Sequence, residues 1–240
     1  MNDTTQLRAA IIGLLGFAAV EEELLLAATG AAEQGNPTCW AAVPLVAHNT
    51  EFRRQQVCRL DAIRRVQTPP AFAEVDHRSE EVYRRYCEQA PDGVALAARE
   101  VTAALIDGLS ATSDDDLLDP SRNPWLDGRQ LWLQIIVRGF WHPTGHLGDY
   151  YLGHGRADRA VALQAQAVAV ASYLSAPGPA RGMAYYNLAC AQARADLPDE
   201  AIDSLRRADE MNPGLLAKAD DDADFAVLRA SGRLLSLLGQ

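Results

Sequence analysis

Residues 139–151 read GFWHPTGHLGDYY and hold two histidines four positions apart, His142 and His146. On a helix this spacing puts both imidazoles on one face, about 5–6 Å apart at Cβ. Two ring nitrogens can then share one metal ion. The neighbouring residues are poor helix formers. Pro143 has no N–H to offer the carbonyl of Gly139 and disfavours helical geometry at His142. Gly139 and Gly145 each cost about 1 kcal/mol against alanine in a helix interior. Local rules broken together mark a site; the alternative is that the glycines only admit a close neighbouring helix.

A chelating pair needs a third ligand to make a tight, open site, and His48 in VPLVAHNTEFRRQ is the best candidate. Otherwise His48 is a satisfied core or surface histidine. Three neutral imidazoles leave the metal its positive charge and an open position. Water bound there falls in pKa from about 16 to about 7 on zinc, and a bound thiol loses its proton. Glu51 lies three residues beyond His48, and Asp149 and Tyr150 lie three and four beyond His146. These three are the candidates for orienting a ligand ring, and Glu51 or Asp149 could instead act as a base; the alternative for each carboxylate is a solvated helix face. Trp40, Phe52, Trp141 and Tyr151 could line a pocket or fill core, and Arg138 could hold an anion or face water. His77, beside Asp76, and His154, in a GHGR turn, read as helix-end residues outside the site.

Helices must position these groups. Apolar residues recur at three- and four-residue steps over 4–32, and Gly35-Asn36-Pro37 closes the run. A second helix is expected from about Thr38 to Val66, stopped by QTPPAF, and a third from Arg78 to Ser110 with an interruption near Pro91. The segment ATSDDDLLDPSRNPWLDG, 111–128, reads as loop, and a fourth helix starts near Arg129. Beyond Leu152 the chain turns alanine-rich. Tyr186, Leu188, Ala189, Ala193, Pro198, Glu200, Ala201, Leu205, Ala208 and Pro213 fall where a tetratricopeptide repeat puts its small packing residues and its turn. One such repeat plus a degenerate one suits a packing or capping extension better than a long peptide-binding groove.

The 240 residues carry a formal charge of −10, so nucleic acid and anionic membrane surfaces are poor partners. The apolar run AAIIGLLGFAAV is too short to span a bilayer and ends in Glu21-Glu22-Glu23. With no signal-peptide pattern, a soluble cytoplasmic protein is expected. Cys39, Cys58, Cys87 and Cys190 make no zinc pattern and are expected to be buried, reduced thiols. No nucleophile elbow, phosphate loop or dinucleotide fingerprint is present.

A histidine in an AHNTEF context, followed 94 positions later by WHPTGH, resembles the DinB/YfiT-like four-helix bundle superfamily. The resemblance covers about residues 5–155. It implies an all-α protein: a four-helix bundle over 1–155 with His48, His142 and His146 holding a divalent metal such as Zn, Ni or Fe, followed over 156–240 by the tetratricopeptide-like extension. It also implies a metal-dependent enzyme acting on a small electrophilic molecule, either an S-transferase using a low-molecular-weight thiol cosubstrate or a hydrolase. Members of this superfamily often form homodimers. The repeat-like C-terminal third departs from the simple family pattern. Two rival readings stand beside the enzyme: a scaffold that recruits a protein partner through its C-terminal helices, and a metal-free binder or hydrolase of a toxic metabolite.

Overall fold

The computed structural model describes residues 3–29, 33, 35–72 and 80–238. These residues form helices and turns, with no β-strand among them. His77 lies outside the described residues. Two compact units, 1–143 and 144–240, divide between Pro143 and Thr144, ahead of the change of texture that the sequence shows after Leu152. None of the described helices is long and apolar enough to cross a membrane.

In the first unit α1 (Asp3–Thr29) and α2 (Ala42–Arg64) are followed by a short α3 (Glu80–Tyr86) and a long α4 (Pro91–Ala111). Each boundary has a local cause. Asn36 Oδ1 accepts from the N–H groups of Thr38 and Cys39 at 2.9 and 3.0 Å, a tight turn that delays α2 to Ala42. Two bonds close α2, from Gln67 N–H to the Ala62 carbonyl and from Val66 N–H to that of Ile63, with Val66 left-handed at φ 56°. Pro91 occupies the first turn of α4, where its missing N–H is no loss. The expected third helix is therefore two helices with a break between them.

The segment expected as irregular loop also departs from its composition. Ser113 Oγ accepts the N–H of Asp116 at 3.0 Å, and three aspartates sit in the first turn of α5 (Asp114–Leu118), where the helix dipole favours them. Turns of 3-10 helix follow at Pro120–Arg122 and Pro124–Leu126. The chain then enters α6 (Leu131–Ile136), one π-helical turn (Val137–Trp141) and α7 (His142–Gly153).

Helices α1, α2, α4 and the α6–π segment pack on one another. Their shared core includes Leu14 and Leu15 of α1, Val46 of α2, Leu105 of α4, and Ile135 and Phe140, all fully buried. An ion pair is built into this core. Arg53 donates to both carboxylate oxygens of Glu22 at 2.7 and 2.9 Å, and Asn49 Nδ2 donates to the same carboxylate at 2.9 Å. Arg53 and Glu22 are 0% and 1% exposed, so α1 and α2 are keyed together by a desolvated ion pair.

In the second unit α8 (Ala157–Tyr173) packs on α9 (Gly178–Arg194), and α9 on α10 (Pro198–Met211). Ala160, Ala167, Ala180, Ala189, Ala201 and Ala208 are fully buried, which lets the helices approach closely. A Cβ on Gly182 would lie 2.9 Å from the Ala208 carbonyl and 2.6 Å from Asn212 Cβ. Short helices α11 (Leu215–Ala219), α12 (Ala226–Ala230) and α13 (Arg233–Leu238) close the unit. All four cysteines are free thiols, but Cys58 and Cys87 are exposed and Cys39 and Cys190 partly buried. The expectation of buried thiols is corrected: Cys58 falls on the outer face of α2, and Cys87 in the turn after α3.

Candidate metal centre

His48 projects from the middle of α2 and is 2% exposed. Its ring is enclosed by aromatic groups: Trp40 at 5.4 Å, Phe52 at 4.7 Å and Tyr86 at 6.1 Å between centroids. Phe52, one turn along α2, also lies against His142 at 4.3 Å and carries the Arg138 guanidinium over its face at 4.8 Å. Trp40 and Phe52 thus wall the site. Tyr151 is buried elsewhere, under the guanidinium groups of Arg156 and Arg159.

The helix that carries the other two histidines changes pitch just before them. His142 N–H bonds the carbonyl of Val137, five residues back, across the π turn. The helix then continues through Pro143, whose missing N–H would have been the α-helical partner of Gly139. A π turn inside an α-helix is rare and frequently accompanies a functional site. Gly139 has a packing role as well: a Cβ there would lie 2.2 Å from Leu15 Cδ2 of α1. The two readings of the glycines are compatible, since a close helix and an altered pitch occur in the same turn.

The Nε2 atoms of His48 and His142 face each other at 3.3 Å. His146 follows His142 by one turn of the same helix, and one ring nitrogen from each of the three histidines lies within 4.8 Å of the others. Two nitrogens bound to a tetrahedral zinc at about 2.0–2.1 Å sit about 3.3–3.4 Å apart. The His48–His142 pair already has that separation. Two facing lone pairs also repel unless a proton or a cation lies between them. The donor set is all imidazole, which suits Zn, Ni or Fe in preference to Mg or Ca.

Asp149, three residues beyond His146, places Oδ2 3.7 Å from its Nδ1 and is salt-bridged to Arg194. Burial would raise the Asp149 pKa, but the His146 imidazole and the Arg194 guanidinium outweigh it and hold it down at about 2. Glu51 pairs with Arg54 at 2.6 Å and lines an open cavity of about 350 Å³ with Ala47, Thr50, Tyr86 and Gln89. Tyr86 belongs to both places, one wall of this cavity and one neighbour of the His48 ring. Tyr150 is 6% exposed and stacks on His154 at 4.1 Å, while its carbonyl meets His154 Nδ1 at 2.8 Å. His154 therefore finishes α7, as its place near a helix C-terminus suggested.

Tyr86 and Arg194 had no recognisable signal in the sequence. Tyr86 sits in a seven-residue helix among charged residues, and Arg194 reads as an ordinary helix-end arginine. Comparison of the chain with protein-family models, with curated proteins and with solved structures returned no match.

Proposed function

We propose that the chain is a metal-dependent enzyme of the DinB-like kind, a four-helix bundle carrying a tetratricopeptide-like extension, that acts on a small electrophilic molecule. The observation that carries this reading is the convergence of His48, His142 and His146 within 4.8 Å. A divalent ion held there would supply a thiolate or hydroxide nucleophile at neutral pH. The chain's own residues do the rest. The His48 ring is fixed by Trp40, Phe52 and Tyr86 and cannot turn away without displacing them. The cavity behind Tyr86 offers room for a small substrate, with the Thr50 and Gln89 side chains and the Glu51–Arg54 pair on its walls. Glu51 is the base candidate on that side, and Arg54 holds its carboxylate in place. Asp149 faces His146 and acts as an orienting group.

Elemental analysis of the purified protein, beside His48→Ala and His142→Ala, tests the reading. About one divalent ion per chain is expected, lost in both variants while helical circular dichroism persists. A wild-type protein that takes up no Zn²⁺, Ni²⁺ or Fe²⁺ refutes it, and the facing imidazoles are then a proton-sharing pair in a metal-free pocket.

A further inference from the structure

The second unit contains a run of polar contacts that ends on a proposed metal ligand. Tyr186 OH donates to Asp222 Oδ2 at 2.8 Å, and Asp222 Oδ1 accepts the N–H of Asp224 at 3.1 Å. Asp224 faces Arg194 at 3.6 Å. Arg194, the last residue of α9, is salt-bridged to Asp149 on α7, and Asp149 faces Nδ1 of His146. Two more contacts seat α7 on the same unit. Gln164 Nε2 donates to the Thr144 carbonyl at 2.7 Å, and Asn187 Nδ2 reaches Thr144 Oγ1 at 3.4 Å. Gly148 makes the first of these possible, because a Cβ there would lie 2.8 Å from Gln164 Nε2.

A histidine that binds metal through one ring nitrogen commonly gives the other N–H to a carboxylate, which fixes tautomer and ring angle. With Nδ1 turned to Asp149, Nε2 is the nitrogen left for metal. A lone exposed aspartate on a helix would wander among rotamers. This one is 37% exposed in its side chain and is held by a guanidinium from another helix. We infer that Arg194 is a positioning residue for the metal centre: it holds Asp149 against His146. The inference rests on the metal-site reading proposed above.

The test uses the full chain. Zn²⁺ affinity is measured by calorimetric titration, and the His146 ring tautomer by ¹⁵N chemical shifts in the metal-free protein. Arg194→Ala and Asp149→Asn are expected to weaken Zn²⁺ binding about 10–100-fold and to shift His146 away from the Nδ1–H tautomer. Arg194→Lys should recover part of both. Asp224→Asn removes Arg194's other carboxylate, leaves Asp149 paired, and should bind like wild type. Arg194→Ala binding Zn²⁺ as tightly as wild type, with an unchanged tautomer, overturns the inference. So does Asp224→Asn weakening binding as much as Arg194→Ala, since the effect would then be general to the packing of this unit. Failure of the wild type to bind Zn²⁺ at all refutes the metal site itself, a distinguishable result.

Discussion

Arg53→Met breaks the ion pair that keys α2 to α1. Arg53 is 0% exposed and gives two charge-assisted bonds to Glu22, itself 1% exposed. The variant leaves a buried carboxylate held by the amide of Asn49 Nδ2. Removing one partner of a buried pair costs about 3–5 kcal/mol, and the loss of two bonds to a charged group, at about 1.5–3 kcal/mol each, gives a similar figure. For a chain of this size that is a fall in Tm of about 6–20 °C. Replacing all three groups, as Glu22→Leu/Asn49→Leu/Arg53→Met, removes the uncompensated charge and should recover most of the loss. The assay follows from where the tryptophans fall. Trp40, Trp125, Trp132 and Trp141 all lie in the first unit, so tryptophan fluorescence in urea reports that unit alone. A shift below about 1 kcal/mol for Arg53→Met would refute the reasoning, as would a triple variant less stable than the single one.

Val66 is a β-branched residue at φ 56°, 95% exposed, in the position after α2 where glycine is preferred. Val66→Gly should therefore stabilise the first unit by about 0.5–1.5 kcal/mol in the same fluorescence assay; a loss of stability would show the left-handed turn to be unstrained. Gly182→Ala should destabilise by about 1–3 kcal/mol, because the added Cβ meets the Ala208 backbone carbonyl, which cannot move aside cheaply; thermal unfolding followed by circular dichroism reads it. Arg8 hydrogen-bonds Asp114 at 2.7 Å and lowers its pKa. A depressed carboxylate contributes stability above its unfolded pKa of about 3.9 and loses it as pH falls through the lower folded value. Asp114→Asn should thus be less stable than wild type at pH 7, and the difference should shrink as pH falls through the lowered folded value; a pH-independent difference would contradict the pairing.

The triad was legible because its signals are local. The HxxxH spacing survives as two consecutive turns of α7, and His48 needed only a facing helix. What could not be read depended on long-range packing or on turn chemistry. Ser113 capping α5 was hidden in a run that looked like loop, because serine and aspartate serve loops and helix starts alike. Tyr86 reaches His48 only through the fold of a short helix between two breaks. The triple glutamate at 21–23 reads as the polar end of an apolar run. In the structure Glu22 is core, because its partner Arg53 is thirty-one residues away and no periodicity links them.

The buried residues of α6 and α7 show why the GFWHPTGH stretch takes the form it does. Most come in pairs every four residues, 131/132, 135/136, 139/140, 143/144 and 147/148, with Gln134, Tyr150 and Tyr151 buried outside that step. A regular α-helix turns about 100° per residue, so a four-residue repeat drifts about 40° per step. Over four steps a straight helix would rotate its buried face most of the way to the opposite side. A π turn accommodates one extra residue and takes back a large part of that drift. The remaining drift matches a helix with different neighbours along its length: Leu15 of α1 at Gly139, and Gln164 of α8 and Asn187 of α9 at Thr144, Gly145 and Gly148. Arg138, His142 and His146 follow the same four-residue step on the flank of the buried stripe. The glycines, the proline and the π turn are therefore one device. They let a single helix serve two packing surfaces while two histidines stay in line with His48.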